Sequence, residues 1–425
     1  MKQHYPVIII GGGAAGLFSA CKCAEFLPKG SVLVLEQSLK LLSKVKISGG
    51  GRCNVTHSCF DPKELVRNYP RGNKELIGPF SKFQPKDTVA WFSERGLPLK
   101  TEQDGRMFPV TDDSQSVIDV ILGEAEKKGV EIQLGMKVLS IKKEKNLFEI
   151  ECKSGASFSS SLLLLATGGT PEGMLRAKEL GHSIIDPVPS LFTFNIPDST
   201  LLDLSGISLQ NVKISLPELK IEGKGPILLT HWGFSGPAIL KLSARAAREL
   251  HNVEYRTSVA IDWMPEISYE DIKNIFEQMK KEKVGKSRDK EIFSEIPKNL
   301  WTRFLELSDI DPNRCWGEIS AAKQSRLIEK IKKDVYKING KTTYKQEFVT
   351  AGGVCRSEID FRKMESKIIS GLYFAGEILD IDGITGGFNF QAAWTGGWIA
   401  GENMGAALNN LPKNKNPLQI NQGED

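Results

Sequence analysis

Residues Val7 to Gly16 read VIIIGGGAAG. A short apolar run ends in Gly11-Gly12-Gly13-Ala14-Ala15-Gly16, and a helix-compatible stretch follows. This order predicts a dinucleotide-binding strand–turn–helix. Gly11 lets the chain turn out of the strand. Gly13 lets the backbone approach a pyrophosphate, and Gly16 lets the helix pack closely on the strand. The next apolar run, Ser31 to Leu35, ends at Glu36, twenty residues past Gly16. An acid at that place accepts from both hydroxyls of an adenosine ribose. The glycines alone carry little weight, because a strand–helix turn can be glycine-rich with no nucleotide. Strand, turn, helix, strand and terminal acid in sequence carry much more.

The bulk composition narrows the class. A chain of 425 residues suggests two or three domains. The net charge of +4 argues for neither nucleic acid nor a membrane as partner. Seven cysteines are scattered with no C-x-x-C pair, which removes disulfide-reductase chemistry and points to a reducing, cytoplasmic setting. Cys21 and Cys23 fall on different faces of a helix, so no metal is expected. No apolar run approaches the roughly eighteen residues of a membrane span. The segment Lys280 to Lys290 interleaves acids and lacks aromatic residues, so it reads as a solvated helix end rather than an RNA-binding tract.

The C-terminal part decides which dinucleotide. Gly371 to Glu377 reads as a short strand ending in Gly376-Glu377, placed to return to the first unit and set an acid near a ribityl or pyrophosphate. Gly386-Gly387-Phe388-Asn389 then opens a helix, Phe390 to about Ala407, rich in Ala and Gly. Its free N–H groups and dipole favour the negative charge that a reduced flavin bears at N1 and O2. An NAD enzyme needs no such element, so the expected cofactor is FAD, bound noncovalently. The run Leu162 to Ala166 ends in Thr167-Gly168 and reads as the return strand of the nucleotide sheet. Between these lies Lys44 to Asn54, KVKISGGGRCN. Its three glycines let a backbone lie flat against a planar ring and a diphosphate. A flexible surface loop is the plain alternative. Arg52 offers a bidentate cation for a phosphate or a substrate carboxylate.

These blocks together resemble the BaiN/RdsA-type flavoproteins, which include aminoacetone-oxidase-like members. The resemblance runs nearly end to end. It rests on IIIGGGAAG, KxxISGGGRCN, THWGFSGPAIL (Thr230 to Leu240), FVTAGGV (Phe348 to Val354), MESK (Met364 to Lys367) and LYFAGEILDIDGITGGFNFQAAWTGGWIAG. It departs at Lys363, where the family usually has Thr, and at Cys355, where a thiol is not typical. The resemblance implies that the first, second and last blocks surround FAD. The contact set expected is Gly11, Gly13, Ala14, Ala15, Gly16, Glu36, Gln37, Lys44, Gly50, Gly51, Arg52, Cys53, Asn54, Val138, Thr167, Gly168, Gly376, Glu377, Gly386, Gly387, Phe388 and Asn389. The glycine loop is also similar to the serine–glycine loop of fumarate-reductase-type flavoproteins.

The expected fold is α/β: a Rossmann-like FAD-binding domain of the glutathione-reductase type, interrupted by a β-rich and helical insertion. Residues 1–192 form the first part of the FAD domain, with a helical excursion (62–129) and a β-meander (130–166). Residues 193–267 are β-rich, 268–333 helical, and 334–345 a return strand. Residues 346–411 complete the FAD domain, and 412–425 form a frayed polar tail. A substrate cavity is expected between flavin and insertion. One helix of the insertion is expected over Ala238 to Leu250, capped by Ser235. The preceding His231 is a candidate proton donor or a structural histidine, and His57 is a weaker candidate of the same kind.

The function expected is hydride transfer through flavin N5 to or from a small molecule. No second G-x-G-x-x-G follows a strand, so NAD(P)H, if it is the donor, docks directly on the flavin. A flavin-dependent RNA-modifying protein and a non-catalytic FAD-binding regulator are the alternatives. Substrate, direction of electron flow and oligomeric state are not legible.

Overall fold

The computed structural model describes residues 3–282, 285–287, 293–342 and 349–409. Strand β1 (Gln3–Ile10) is apolar and fully covered from Val7 onward. The helix Ala14–Cys23 follows, and then β2 (Val32–Leu35). β1 and β2 run parallel, pairing Val7 with Val32 and Ile10 with Leu35. A strand buried on both faces needs a continuous apolar run, which is what VIII and VLVL supply.

The stretch expected to be helical (62–129) holds helices, Ile77–Lys82, Pro85–Ser93 and Ser114–Lys127 among them, and also two strands of a small sheet. β3 (Thr56–His57), β4 (Leu99–Thr101) and β5 (Arg106–Pro109) pair in the order β3-β5-β4. The turn between β4 and β5 is closed by Gly105, at φ 84°, and by Gly105 N–H donating to the Glu102 carbonyl at 2.9 Å. Strands of two to four residues are too short to show alternation, so this hairpin escaped the sequence reading. The helix Ser114–Lys127 returns the chain to β6 (Glu131–Gln133), which lies parallel to β2. The meander therefore begins later than expected, with β7 (Val138–Glu144), β8 (Leu147–Cys152) and β9 (Ser157–Leu165). β9 runs parallel to β1 on its other side, Ile10 opposite Leu165.

The chain leaves this domain through β10 (Ile184–Ser190). Then come β11 (Thr193–Asn195), β12 (Ser208–Leu216), β13 (Ile221–Thr230), β14 (Gly233–Ser235), β15 (Arg256–Asp262), β16 (Asp334–Asn339) and β17 (Lys341–Thr342). They form one antiparallel sheet in the order β16-β15-β12-β13-β14-β11-β17. Helices Tyr269–Glu282, Lys298–Leu307 and Ala321–Lys332 pack Phe276, Trp301, Phe304 and Leu327 into the same core as Val259 and Ile261. The helix expected from Ala238 starts at Pro237 and breaks at Ala246 into Pro237–Arg245 and Ala247–Asn252. Its cap is Gly236, at φ 96°, and not Ser235, which is paired with Leu228 in the β13–β14 ladder.

The return is by β18 (Val349–Val354), antiparallel to β10. The insertion thus hangs on a two-stranded stem, Ser190 facing Val349. β19 (Ile359–Asp360), β20 (Glu365–Ser366) and β21 (Leu372–Phe374) close the nucleotide sheet, with β21 parallel to β9. The helix Phe388–Asn409 then packs along Ala14–Cys23. A Cβ at Gly397 would sit 2.5 Å from the Ala15 carbonyl oxygen, and one at Gly401 2.4 Å from that of Ser19. The small-residue stripe is what allows this contact. The expected tail (412–425), the junction near residue 346 and much of the 280–290 segment lie outside the described residues. Among the described residues no helix is long and apolar enough to cross a membrane.

Candidate dinucleotide and substrate site

A cavity of about 690 Å³ lies at the C-terminal ends of the parallel strands, where Ile10, Leu35, Ala166 and Ala375 line it. Open α/β sheets bind their ligands at this edge. At one end stands Glu36. Its Oε2 accepts from Gly12 N–H at 2.7 Å and its Oε1 from Ser38 N–H at 2.8 Å. These bonds fix the carboxylate and leave lone pairs for a diol.

The turn before the first helix is tight on one side and open on the other. A Cβ on Gly11 would meet the Ala166 carbonyl oxygen at 2.4 Å, and one on Gly16 that of Gly11 at 2.0 Å. A Cβ on Gly13 would meet nothing within 4 Å. That leaves bare backbone at a helix N-terminus facing the cavity, a seat for a pyrophosphate. Beside it Lys44 and Glu377 form an ion pair.

The far end is built by the glycine loop and the head of the C-terminal helix. Ser43–Ile47 is a short helix, and Ser48–Gly51 a turn with Gly49 and Gly50 in the left-handed region. Asn54 donates to the Thr56 carbonyl and accepts from Gly387 N–H, each at 3.0 Å, in the amide orientation that satisfies both groups. A Cβ on Gly387 would lie 2.6 Å from the Thr56 carbonyl oxygen. Loop, β3 and helix head are therefore one wall. Tyr69 Oη donates to the Phe388 carbonyl at 2.6 Å, and Asn389 exchanges two hydrogen bonds with the backbone of Gly383. Asn389 thus pins its own loop with its side-chain carbonyl and one N–H. The residues at the two ends fit the two halves of a flavin dinucleotide: an acid for the ribose, open backbone for the diphosphate, and a helix N-terminus for an electron-rich ring edge.

Of the expected contacts, Gly11, Gly13, Ala14, Ala15, Glu36, Gln37, Lys44, Gly50, Asn54, Val138, Thr167, Gly168, Gly376, Glu377, Gly386, Gly387 and Asn389 line this one cavity. Six expected residues do not. Gly16 serves the strand–helix packing, as its type predicts. Gly51 lies beside the lining residue Gly50 but does not itself face the cavity. Arg52 is turned away: Nη1 donates to Glu102 at 2.6 Å, lies 3.6 Å from Asp112, and the guanidinium covers the Phe108 ring at 4.0 Å. Cys53 is fully buried, and burial pushes its thiol up to about 12 against the opposing hydrogen bond of Ser48. Phe388 is buried and stacks on His57, centroids 4.7 Å apart.

His231 is the sixth. It is exposed at the β13–β14 turn, edge-on to Trp232, and outside the cavity. Among the described residues none from 193 to 342 lines the cavity, and only the stem residues Leu191 and Val349 reach it. Of the insertion, then, none of the described residues lines this cavity, although Ala244 of its helix accepts from Arg71 of the FAD domain at 2.7 Å. Leu191 holds a left-handed φ of 56° there.

The sequence reading missed Arg106, Leu191, Val349 and Thr385, which also line the cavity. Only Arg106 had a signal, the Asp104-Gly105 turn that announces a hairpin. Its ladder partner is His57. Burial lowers the His57 pKa, opposed by the Asp104 carbonyl and charge and aided by Lys241. His57 Nε2 bonds the Asp104 carbonyl at 3.1 Å, and its buried Nδ1 has no partner among the described residues.

Known proteins similar to this chain show its family and fold. A "Ribosomal RNA dihydrouridine synthase" of Haemophilus influenzae is 31% identical over 409 residues, 93% of this chain and 97% of that protein. A "3-dehydro-bile acid delta(4,6)-reductase" of Clostridium scindens is 28% identical over 404 residues, 92% and 97% of the two chains. A solved 3-ketosteroid delta1-dehydrogenase from Sterolibacterium denitrificans shares the fold at a TM-score of 0.52 and 11% identity, over 96% of this chain and all of that one. The family model described as "HI0933-like protein Rossmann domain" matches residues 5–403, and the chain belongs to that family, the BaiN/RdsA-type flavoproteins.

Proposed function

We propose that this FAD-dependent oxidoreductase reduces a carbon–carbon double bond conjugated to a carbonyl. The observation that carries the reading is the single cavity from Glu36, past the open backbone at Gly13, to Gly387 and the helix N-terminus. When bound there, FAD supplies a hydride at its ring. The chain's own part is to hold the ribose at Glu36, hold the diphosphate at Gly13 to Ala15, and favour charge at the ring edge through the helix that starts at Phe388.

The substrate class is supported by what two relatives' names share. Making a dihydrouridine and reducing a delta(4,6) bond of a 3-dehydro bile acid both add two hydrogens across a double bond conjugated with a carbonyl. A second reading, in which the conjugated carbonyl is a uridine of ribosomal RNA, is favoured by the name of the relative that is 31% identical. That name weighs against the expectation, drawn from net charge, that no nucleic acid is a partner. RNA binding would fall steeply with salt, whereas a small enone would not.

The test is anaerobic. The yellow holoprotein is bleached with NADH or NADPH and mixed with 2-cyclohexenone, with uridine or with unmodified ribosomal RNA. Recovery of the oxidised flavin spectrum with one of these, and not with cyclohexene, is the expected result. Bleaching by amines, with recovery in oxygen alone, would make the protein an oxidase and end this reading.

A further inference from the structure

A conjugated reduction places negative charge on the carbonyl oxygen. Hydride added to the β-carbon of a C=C–C=O unit brings two electrons. The π pair shifts toward oxygen to give an enolate. A proton from solvent then adds at the α-carbon, and the C=O re-forms. The reductant is the reduced flavin already assigned. What the reaction lacks so far is a donor for that oxygen, since Arg52 faces away and His231 is outside the cavity.

Arg106 lines the cavity, as do Asn54, Gly386 and Gly387, and it pairs in the ladder with His57, which follows Thr56 in β3. Its guanidinium is held on two of its three nitrogens. Nε donates to Asp104 Oδ2 at 2.7 Å and Nη2 to Glu102 Oε2 at 3.0 Å. Its plane lies near the Phe108 ring, 5.4 Å from the centroid. Nη1 makes no hydrogen bond to any described residue, and the side chain keeps 38% of its exposure. A rigid fork with one nitrogen left over is a pre-oriented donor for an oxyanion.

The surrounding charges explain why the guanidinium stays in place. Glu102 is shared by Arg106 and Arg52, and Asp112 by Arg52 and Lys100. Asp104 completes a set of three acids and three bases. Arg52 therefore holds Glu102, and Glu102 holds Arg106. The arginine that the sequence assigned to the cavity wall, Arg52, is not there, and Arg106 on β5 lines the cavity instead.

We propose that Arg106 Nη1 donates to the carbonyl oxygen of the substrate and stabilises the enolate, with Arg52 as a positioning residue behind it. This rests on the reductase reading given above. The proposal is tested without turnover, using pentafluorophenol, which is ionised at neutral pH and presents a flat ring with a delocalised oxyanion. Oxidised holoprotein is titrated by calorimetry and by the visible spectrum of the flavin. Wild type should bind the phenolate and shift the flavin spectrum. Arg106→Met should weaken binding about 10-fold or more, and Arg106→Lys should fall between. Each variant should keep a full complement of FAD, which also reports that it is folded.

Equal binding by Arg106→Met and wild type, or no binding by wild type, overturns the proposal. So does loss of FAD from both variants, which would make Arg106 a cofactor ligand. The two readings fail separately. Phenolate binding that depends on Arg106, with no enone able to reoxidise the flavin, leaves the oxyanion site standing and removes the reductase. Enone turnover at the wild-type rate in Arg106→Met removes the oxyanion site and leaves the reductase.

Discussion

Single residues divide by whether local chain geometry aims them. Glu36 is aimed by two backbone N–H groups within two positions of a strand end or turn. Glu36→Ala should lower FAD affinity by roughly 1–3 kcal/mol, the loss of charge-assisted hydrogen bonds. Equilibrium dialysis of FAD against apoprotein reads it, and unchanged affinity would remove Glu36 as the ribose ligand. His231 is the opposite case. It stands on an exposed turn outside the cavity. His231→Ala should leave flavin reduction and reoxidation rates as in wild type, and a loss of about 10²-fold in stopped flow would return it to acid–base chemistry.

At the scale of elements, the two helices that frame the cofactor are set by glycines that touch a neighbouring backbone. Gly401→Ala would push a methyl to 2.4 Å from the Ser19 carbonyl oxygen. Overpacking of this kind costs about 1–3 kcal/mol, and urea unfolding should show it with FAD still bound. Gly387→Val meets a different obstacle, the Thr56 carbonyl at 2.6 Å and Asn54 at 2.8 Å. It should open the joint between glycine loop and helix head and abolish FAD binding. A Gly387→Val protein that purifies yellow would show that the joint yields. Helical character was legible where periodicity is long, as in the 268–333 stretch that holds Lys298–Leu307 and Ala321–Lys332. The β4–β5 hairpin was hidden because three or four residues carry no usable period.

The whole molecule is joined by a buried ionic knot under the stem of the insertion. Arg71 and Asp382 form a two-pronged pair, Arg71 Nη1 donates to the Ala244 carbonyl at 2.7 Å, and Ser190 donates to Asp382 at 2.8 Å. The knot ties the FAD domain, the stem and an insertion helix. Burial raises the Asp382 pKa, with Arg71 opposing. Asp382→Asn leaves a buried guanidinium short of its partner, and should cost about 3–5 kcal/mol in denaturant unfolding. A second device ties β20 to the segment before β10. His182 Nδ1 is 2.9 Å from Glu358 and Nε2 2.9 Å from Ser366 Oγ. Burial lowers the His182 pKa from 6.5, with Glu358 opposing. A depressed folded value means that the unfolded chain binds the proton first. Stability from this site is therefore full above about pH 6.5 and is lost as pH falls through the folded value. His182→Gln should flatten that acid limb in a series of melts, and an identical slope would exclude the site.

The sequence by itself determined the nucleotide half of this protein. VIIIGGGAAG, the acid at position 36 and the GG-F-N helix head each act through backbone contacts a few residues away, so order along the chain fixes their geometry. Their meeting in one cavity follows from parallel pairing of β2, β1, β9 and β21. The tertiary structure alone decided which of Arg52 and Arg106 faces that cavity. Arg52 and Arg106 are 54 positions apart and share Glu102. Nothing local says which of them looks inward, because that depends on how a short hairpin folds back on the glycine loop. It also decided the place of the insertion. The insertion leaves and returns through two paired strands, Ser190 opposite Val349, and its helix is tied to Arg71, 173 positions away, a contact that no spacing in the sequence encodes.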